Sequence, residues 1–419
     1  MNEYKLRIRL VSLNYTPEQT GIGPYVADLA SGLVDRGHCV EVVTGYPHYP
    51  SWTVDPKFTG FRSSSTLHGV KIRRVRQYTP KSPSYIRRVV METSFGIQAV
   101  FRSSDRCDVI LCTSPALFAT AVVILTAKLS KNRPRLGVWV QDIYSSGLAE
   151  TSQTSKRLSS LVEKLEGLTF RSADGVVVIH ERFREILNKR LNIPNQNITT
   201  IRNWTHIKPQ KTKSREDTRM SLGWGLNEHV VLHAGNMGVK QGLENVVEAA
   251  RMAEDQALNI RFVLLGDGNQ REKLENIGRH IKKLQFIRPL DDVQFQSALN
   301  AADILLVNES IGVVEMAVPS KLTTYFSIAK PILAATDQRS ATASEISQSG
   351  AGLRVDPGNP ADLISGVTQI MNENDTVKSY GKNGMKYLHS KLDRSHAIDQ
   401  FESWALNIGK QNKTKKGNR

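Results

Sequence analysis

Cysteine is scarce in this chain of 419 residues, and its three positions exclude the usual metal and disulfide frameworks. Cys39, Cys107 and Cys112 form no CxxC pair and have none of the Cys/His spacings that bind zinc. The N-terminus alternates basic and apolar residues and is typical of a strand, not of a secretory signal peptide. An odd number of cysteines without such a signal favours a reducing compartment, so we expect a cytoplasmic protein.

Long charge-free runs are also lacking, apart from one between residues 109 and 127. This run approaches the length of a transmembrane helix, but a Thr-Ser-Pro step at residues 113–115 interrupts it. A strand over Val109–Cys112 followed by a buried helix over Ala116–Leu129 explains the same residues. The sequence therefore favours a buried core segment over a membrane-spanning helix.

Acidic residues are outnumbered by basic ones, because 56 Lys and Arg residues face 40 Asp and Glu residues, a formal net charge of +16. This surplus favours anionic partners such as nucleotide phosphates, nucleic acid or an anionic membrane, although a basic soluble surface has the same composition. Zinc-finger spacing, an RNA-recognition signature and a helix-turn-helix pattern are all absent from the sequence. We therefore expect no nucleic acid among the partners.

Short apolar runs alternate with helical periodicity along the first half of the chain. Strands are predicted where valine, isoleucine and leucine cluster, over Arg7–Leu13, Val40–Val43, Val70–Val75, Val109–Cys112, Leu136–Val140, Gly175–Ile179 and Ile198–Ile201. Two amphipathic helices have one apolar face each, at Val26, Leu29, Ala30 and Leu33 and at Leu158, Leu161, Val162 and Leu165. Continuous apolar strands between helices indicate a parallel α/β sheet.

The second half repeats this alternation after a polar segment, 208–225, that indicates a linker and the start of a new domain. Its strands are predicted over Val230–His233, Ile260–Leu265, Ile304–Val307 and Ile332–Ala335, with a helix face at Leu243, Val246, Val247 and Ala250. We predict two doubly wound Rossmann-like α/β domains, over 1–207 and 208–390, that face each other across a cleft. Residues 391–409 are expected to form a helix that packs back on the first domain, and 410–419 a basic disordered tail.

The first strand leads into a loop that holds Gly21, Gly23 and Pro24, and then into a helix. Small residues let a ligand approach the backbone, and a helix N-terminus favours an anion. A strand-to-helix turn without a ligand has the same pattern. Further along, Gln141 and Asp142 follow a buried strand, where a polar pair is often functional, although Asp142 could also cap a helix.

The first strand of the second domain leads into a loop with Gly235, Asn236, Gly238, Lys240 and Gln241. A lysine inside a glycine-spaced loop can reach a diphosphate that backbone N–H groups hold. The alternative is a solvated lysine on a tight turn.

Two more segments follow strands of the second domain. The first is the turn Gly266-Asp267-Gly268, where Asp267 could hold a ribose, as in a nicotinamide-dependent oxidoreductase. The second contains Glu309, Glu315, Ser320, Lys321, Leu322 and Thr324. Carboxylates there could bind sugar or ribose hydroxyls and Lys321 a phosphate, whereas capping and surface charge are the alternative for Glu309.

Together these residues resemble glycosyltransferase family 4, whose members have the GT-B fold and transfer sugars from nucleotide donors with retention of configuration. The similarity covers nearly the whole chain and rests on three motifs, Glu18-x-Thr20-Gly21-Ile22-Gly23-x-Tyr25, Gly235-Asn236-x-Gly238-x-Lys240-Gln241-Gly242-Leu243-Glu244 and Pro319-Ser320-Lys321-Leu322. Their combination is similar to a bacterial polysaccharide branch with colanic-acid fucosyltransferase-like and N-acetylfucosaminyltransferase-like enzymes. The segment Tyr46–Trp52 resembles a loop of that branch.

The resemblance implies a role for each matching residue. Catalytic roles fall on Lys240, Glu315, Lys321 and Asp142. Donor binding falls on Gly21, Gly23, Gly235, Asn236, Gly238, Gln241, Gly266, Gly268, Glu309, Ser320, Leu322 and Thr324. The acceptor side is expected to include Glu18, Thr20, His48, Tyr49, Trp52 and Gln141. Four positions depart from the family, since Asn236 stands at an arginine position, Lys240 lies one residue before the usual lysine, Thr324 replaces a paired glutamate and Gln141 replaces a histidine.

The implied function is transfer of a deoxy- or N-acetylamino-hexose from a nucleoside diphosphate, UDP before GDP, to a lipid-linked glycan in O-antigen, capsule or exopolysaccharide synthesis. No cofactor and no metal are implied, and the sequence holds no DxD pair that would chelate a diphosphate-bound cation. Lys240 and Lys321 are suited to stabilise charge on the leaving diphosphate. A sugar-nucleotide epimerase of the same fold is an alternative, and the nicotinamide-dependent oxidoreductase a more remote one.

A window of basic and aromatic residues precedes Glu92, with Tyr78 and Tyr85 among the cations. The cations expected to form a membrane patch are Arg73, Arg74, Arg76, Lys81, Arg87 and Arg88. Each would contribute about 1 kcal/mol near an anionic membrane, where a polyprenyl-diphosphate-linked acceptor would place the protein. We therefore expect a peripheral protein on the inner face of the plasma membrane, with a solvated basic face as the alternative.

Overall fold

The computed structural model describes residues 5–18, 21–49, 51–82, 84–100, 106–130, 133–146, 156–205, 210–314, 321–372 and 374–414. The chain divides into two compact units. Unit 1 comprises Met1–His206 together with Arg394–Arg419, and unit 2 comprises Ile207–Asp393. Each unit has its own sheet, with helices packed against it.

Unit 1 is built on β1 (Arg7–Ser12), β2 (Cys39–Gly45), β3 (Arg62–Leu67), β4 (Val70–Val75), β5 (Val109–Thr113), β6 (Arg135–Val140), β7 (Gly175–Val178) and β8 (Ile198–Thr200). Within the described residues these form one sheet in the order β3-β4-β2-β1-β5-β6-β7-β8, parallel except for the pair of β3 and β4. The predicted strands are confirmed, with ends that shift by one or two residues. Strand β3 was not predicted, because its side chains are all exposed and show no apolar alternation.

The helices of unit 1 before residue 206 include α1 (Gly23–Asp35), α2 (Tyr85–Val100), α3 (Leu117–Leu129), α4 (Lys156–Arg171) and α5 (Glu181–Lys189). The charge-free run is β5 followed by α3, as predicted, and α3 packs between α2 and α4. No helix in the described ranges is long and apolar enough to cross a membrane. On α4 the predicted apolar face is wrong at Leu161, which is exposed because Val162 and Phe170 turn towards the core.

Unit 2 is built on β9 (His229–Ala234), β10 (Ile260–Leu265), β11 (Leu284–Ile287), β12 (Ile304–Asn308), β13 (Ile332–Ala335) and β14 (Gly352–Val355). In the described part of this unit they form an all-parallel sheet in the order β11-β10-β9-β12-β13-β14. The four predicted strands are confirmed. The edge strands β11 and β14 were not predicted, since most of their side chains are only half-buried.

The helices of unit 2 are α6 (Arg215–Leu222), α7 (Glu244–Asp255), α8 (Arg271–Gly278), α9 (Asp292–Ala301), α10 (Lys321–Ser327), α11 (Ala341–Ser349), α12 (Pro360–Asn372) and α13 (Asn374–Lys391). Helix α6 lies within the segment predicted to be a linker. Its Arg219 is fully buried, donates to four main-chain carbonyls and pairs with Asp303 at 2.6 Å. The sequence did not predict this helix, because a satisfied buried arginine takes the place of an apolar core residue.

The chain then returns to unit 1 as α14 (Arg394–Thr414), which packs against α1, β5 and β6. Phe401 of α14 meets Trp139 and Trp204, with ring centroids 4.8 and 6.3 Å apart. Trp404 covers Gly137, where a Cβ would lie only 2.1 Å from the indole. Trp204 is therefore a buried anchor of unit 1.

Helix α14 extends further than the sequence suggested. Its backbone is helical through Thr414, so the predicted disordered tail is wrong for residues 410–414. No glycine or proline interrupts residues 410–414. Residues 415–419 lie outside the described residues.

Candidate functional site

Three loops meet at the carboxyl edge of the unit 2 sheet, because β9 lies between β10 and β12. After β9, the N–H of Gly235 donates to the carbonyl of Leu265 at the end of β10, at 2.9 Å. After β12, the N–H of Ser310 donates to the carbonyl of Lys240 at 2.7 Å. Segments that the sequence presented separately are thus joined by backbone hydrogen bonds at one edge.

Two glycines allow the loops after β9 and β10 to touch through their backbones. A Cβ on Gly266, whose φ is +140°, would lie 1.9 Å from the carbonyl oxygen of Gly235. A Cβ on Gly268 would lie 2.5 Å from the carbonyl oxygen of Met237. Both positions require glycine for this close approach. Asp267 Oδ1 accepts from the N–H of Gly268 at 2.8 Å and so supports the turn.

A side chain of β12 supports the turn that carries Lys240 through hydrogen bonds. The N–H of Gly238 donates to Gln241 Oε1 at 3.0 Å. Asn308 Nδ2 donates to the carbonyls of Gln241 and Gly242, at 2.7 and 3.0 Å. These bonds use the side chains of Gln241 and Asn308 to fix the backbone, and the half-buried Lys240 is the cation that this turn presents.

Lys321 approaches the same loop from the start of α10. Its Nζ lies 3.2 Å from Nε2 of His233, and a Cβ on Gly235 would lie 3.6 Å from that Nζ. Desolvation lowers the pKa of Lys321 to about 8, which the carboxylate of Glu309 partly opposes. Burial, together with the charge of Lys321, holds the pKa of His233 well below its ordinary value. The imidazole is therefore neutral and accepts a hydrogen bond from the ammonium.

Tyr325 anchors α10 to the end of β9. Its hydroxyl accepts from the N–H of Ala234 at 2.9 Å and donates towards the carbonyl of Leu306 at 3.3 Å. Leu322 and Thr324 are buried on the same helix. Leu322 packs in the core of unit 2, and the predicted role of both residues in donor binding stays a prediction.

Glu309 is held by hydroxyl groups of its own unit. Its Oε1 accepts from the hydroxyl of Thr342 at 2.6 Å, and its Oε2 accepts from the hydroxyl of Thr336. These two contacts are with side-chain hydroxyls and not with the N–H groups of a helix N-terminus, and the predicted donor-binding role of Glu309 stays a prediction. The charge of Glu309 still lies near enough to Lys321 to oppose part of the lowering of its pKa by desolvation.

Apart from the buried Leu322 and Thr324, the predicted site residues of unit 2 fall into two groups. Those brought together at the carboxyl edge are Gly235, Asn236, Gly238, Lys240, Gln241, Gly266, Gly268, Glu309 and Lys321. Glu315 and Ser320 lie outside the described residues.

At the corresponding edge of unit 1, Glu18 is a buried carboxylate with four donors. Its Oε1 accepts from the N–H groups of His48 and Tyr49, at 2.9 and 2.8 Å. Its Oε2 accepts from the N–H of Tyr15 at 3.2 Å and from Asn14 Nδ2 at 3.0 Å. Glu18 thus ties the loop after β1 to the loop after β2, which holds the predicted acceptor-side residues His48 and Tyr49.

The loop after β2 forms an aromatic cluster. The ring of Trp52 lies 5.9 Å from that of His48 and 6.2 Å from that of Tyr49, between centroids. The guanidinium of Arg88 lies 5.1 Å from the centroid of Trp52. Gln77 Nε2 lies 3.0 Å from Nδ1 of the buried His48 and fixes that ring. Three predicted acceptor-side residues therefore lie together.

The glycine loop of unit 1 precedes α1 as predicted. Gly21 adopts φ +69°, and the helix begins at Gly23 with Pro24 in its first turn. A Cβ on Gly23 would lie 3.1 Å from the carbonyl oxygen of Glu18. Thr20 lies outside the described residues.

Two protein-family models match this chain in succession. The "Glycosyl transferase 4-like domain" model matches residues 20–204, and the "Glycosyl transferases group 1" model matches residues 214–387. A relative from Escherichia coli K12, named "Putative colanic acid biosynthesis glycosyl transferase WcaI", is 28% identical over 418 residues, 94% of this chain and 98% of its own. The chain belongs to glycosyltransferase family 4.

Solved structures show that this glycosyltransferase has the GT-B fold. Sucrose-phosphate synthase from Thermosynechococcus elongatus superposes with a TM-score of 0.75 at 16% identity, over 96% of this chain and 99% of its own. The Anabaena protein HepE, solved in complex with UDP, gives a TM-score of 0.70 at 13% identity, over 96% of this chain and 100% of its own. The two parallel sheets and the expected fold class agree with these neighbours.

Gln141 of the glycosyltransferase forms a reciprocal pair with Asn203. Gln141 Nε2 donates to Asn203 Oδ1 at 3.0 Å, and Asn203 Nδ2 donates to Gln141 Oε1 at 2.7 Å. At the residue after Gln141, the backbone carbonyl of Asp142 accepts a hydrogen bond from the hydroxyl of Ser114. The polar pair predicted after β6 is thus tied to the loops after β5 and β8.

The predicted basic patch is split by the fold of the glycosyltransferase. Arg74 shares the buried face of Val70 and Ile72 on β4, donates to the carbonyls of Thr16 and Gly45, and is not part of an exposed patch. Arg73 pairs with Glu41 at 2.6 Å. Of the six predicted cations, Arg76, Lys81, Arg87 and Arg88 are exposed. The patch prediction is therefore wrong for Arg74, because the strand alternation turns that side chain inward.

Sequence reasoning assigned no role to His233, Asn308 or Asn203. Each is a polar residue at or just past the end of an apolar strand, and that position was the available signal. In the ranges that the structure describes, no group of three His, Cys, Asp or Glu side chains could hold a metal ion.

Proposed function

We propose that this glycosyltransferase moves a deoxy- or N-acetylamino-hexose from a nucleoside diphosphate to a lipid-linked glycan, with retention of anomeric configuration. The observation that carries the proposal is the ammonium of Lys321, fixed 3.2 Å from His233 and beside the backbone of Gly235. Lys240 adds a second cation on the adjoining turn. Two cations next to a loop that only glycine can form suit the oxygens of a diphosphate.

In the proposed reaction, the bond between the anomeric carbon and the diphosphate oxygen breaks. The acceptor hydroxyl oxygen bonds to the same face of that carbon, and its proton passes to the leaving phosphate. Lys240 and Lys321 stabilise the negative charge that develops on the diphosphate, and no metal or other cofactor takes part. Turnover is accordingly expected to persist in EDTA.

UDP is the proposed nucleotide of the donor, with GDP as the second candidate. The Anabaena neighbour was solved with UDP, and its fold matches 96% of this chain at a TM-score of 0.70. The predicted ribose ligand Glu309 lies at the same edge as the two lysines, with its charge acting on Lys321.

The proposed acceptor is a polyprenyl-diphosphate-linked glycan of a surface polysaccharide. The enzyme is proposed to bind this acceptor as a peripheral protein on the inner face of the plasma membrane. The Escherichia coli relative is named for colanic acid biosynthesis and matches nearly the full length of both chains. The rings of His48, Tyr49 and Trp52 offer apolar faces to a sugar, and Arg88 offers a cation to a phosphate.

Product analysis tests this proposal. UDP-N-acetylhexosamines and GDP-fucose are incubated with and without a polyprenyl-diphosphate-linked saccharide, and products are identified by mass and by the NMR coupling of the anomeric proton. We expect a product only with acceptor, with the donor's anomeric configuration, in the presence of EDTA. A new nucleotide sugar formed without acceptor would indicate the epimerase, and an inverted anomer would contradict retention.

Lys240→Ala sharpens the same assay. Loss of a charge-assisted contact of about 1.5 to 3 kcal/mol should lower turnover at least tenfold. The matched control is Lys282→Ala, which removes an exposed lysine of unit 2 outside the glycine loops. Turnover by Lys240→Ala equal to that of the control would remove Lys240 from the proposed mechanism.

A further inference from the structure

Three adjacent helices of unit 1 present apolar side chains to solvent. On α3, Leu125 and Leu129 are 62% and 79% exposed, and on α4, Leu161 and Leu168 are 61% and 59% exposed. Helix α3 packs between α2 and α4, so these side chains stand on one helical layer. With the exposed side chains of α2 they form what we call the outer apolar face, made of Ile86, Val90, Ile97, Leu125, Leu129, Leu161 and Leu168.

Helix α4 shows the pattern most clearly. Its exposed side chains recur every three or four residues, at Arg157, Leu161, Lys164, Leu168 and Arg171. This spacing places them on one face of the helix, opposite the face that buries Val162 and Phe170. A solvent-facing stripe on a globular protein is normally polar, whereas here leucines alternate with cations.

The exposed charged side chains of this helical layer are all positive. The exposed charged side chains of the described parts of α2, α3 and α4 are the cations Arg87, Arg88, Lys128, Arg157, Lys164 and Arg171. The carboxylates of these helices are engaged elsewhere. Glu92 and Glu166 are buried, and Glu163 pairs with Arg190 at 3.1 Å. Exposed leucines with cations around them complement a surface that has an anionic outer layer over an apolar interior.

We propose that the outer apolar face docks on an anionic lipid bilayer, with its leucines between the head groups and its cations on the lipid phosphates. Exposed apolar residues grouped on one layer mark an interaction site, and the surrounding cations select an anionic membrane. This surface shares only Arg87 and Arg88 with the patch predicted from the sequence. It rests on the proposed function for the identity of the membrane, which carries the lipid-linked acceptor.

Vesicle flotation tests the inference. We expect the full chain to float with vesicles of phosphatidylglycerol and phosphatidylethanolamine, and to stay behind with phosphatidylcholine vesicles. Changing Leu125, Leu129, Leu161 and Leu168 singly to Gln should weaken binding about tenfold each. Changing Lys128, Arg157 and Lys164 singly to Gln should weaken it about fivefold each.

The matched control changes exposed apolar residues of unit 2, Met220→Gln with Leu226→Gln, and should leave flotation unchanged. Thermal stabilisation by UDP, measured on every variant, shows that the variants fold and tests donor binding separately from docking. Three outcomes would overturn the inference: no flotation of the wild-type chain, equal flotation on phosphatidylcholine, or unchanged flotation of the leucine variants. A wild-type dimer that the leucine variants dissociate would assign the face to a second copy instead.

Discussion

The ammonium of Lys321 lies 3.2 Å from Nε2 of His233, a pairing that joins the start of α10 to the end of strand β9, just before the glycine loop. A buried imidazole in this position is neutral, because both burial and the lysine charge lower its pKa. The pairing therefore fixes a cation beside Gly235 without neutralising it. In the proposed reaction this cation meets the diphosphate of the donor.

Binding of UDP should weaken as the pH rises through about 8. The pKa of Lys321 is lowered to about 8, so the ammonium is present below that pH and is lost above it, along with its attraction for the anion. Lys321→Arg keeps the charge at all these pH values and should flatten the profile. Calorimetric titration between pH 6.5 and 9.5, about the range that brackets this pKa, measures the effect. A wild-type profile as flat as that of Lys321→Arg would contradict it.

Gly266→Ala should destabilise unit 2 and abolish nucleotide binding. The new Cβ would lie 1.9 Å from the carbonyl oxygen of Gly235, at a φ of +140°. Relief requires the two loops to separate, which we expect to cost about 3 kcal/mol or more. Gly223→Ala is the control, since Gly223 also has a positive φ, +72°, but open space around it, and should cost about 1 kcal/mol. Urea unfolding compares them, and equal losses would show that the loop contact is unimportant.

Glu18→Gln should impair use of the acceptor while sparing the donor. The amide keeps one accepting oxygen and loses the other, so two of the four donors from Tyr15, Asn14, His48 and Tyr49 lose their partner. An unsatisfied buried donor costs about 1 to 3 kcal/mol, which loosens the aromatic loop. Acceptor KM should rise with little change in UDP affinity, whereas Glu181→Gln, at an exposed carboxylate, should behave as wild type. Parallel losses of donor and acceptor binding would argue for general misfolding.

Glu92→Gln should stabilise the protein near neutral pH. Burial raises the pKa of Glu92 to about 8, and its Oε2 accepts from the N–H of Phe118 at the start of α3. The native state therefore holds a proton that the unfolded chain releases above about pH 4.3, and stability falls by about 1.4 kcal/mol per pH unit up to about pH 8. The amide cannot ionise and escapes this loss. Unfolding free energies that diverge between variant and wild type from pH 5 to 8 would bear this out, and parallel curves would contradict it.

The sequence predicted those parts of the fold that depend on runs of apolar residues. The central strands, such as Ile260–Leu265 and Val109–Thr113, are buried on both faces and stand out for that reason. Strand β3 was not predicted, because it lies at an edge of the sheet and has no buried face. Helix α6 was not predicted, because its inward side chain is a charged one, Arg219. Its guanidinium donates to main-chain carbonyls and pairs with Asp303.

The candidate site was predictable as far as the position of its loops. Glycines after β9 and β10 mark a close backbone approach, which the contact of Gly266 with Gly235 realises. The tertiary partners were not predictable, since nothing in sequence spacing links Lys321 to His233 or Asn308 to Gln241. Glu18 shows the same limit, because a motif marks the residue as important without showing that its carboxylate accepts from three backbone N–H groups and from Asn14 Nδ2.

Thermal stabilisation by nucleotides tests the central claim, a diphosphate site at the carboxyl edge of unit 2, most directly. UDP, GDP, ADP and NAD are compared in EDTA on the wild type, Lys240→Ala, Lys321→Ala and Lys282→Ala. A ligand at about 100 times its Kd stabilises by about 2.7 kcal/mol, a shift that is readily measured. We predict stabilisation of the wild type and Lys282→Ala by UDP or GDP, and a reduced shift for the other two variants. Stabilisation by NAD alone, or an equal UDP shift in all four proteins, would contradict the account.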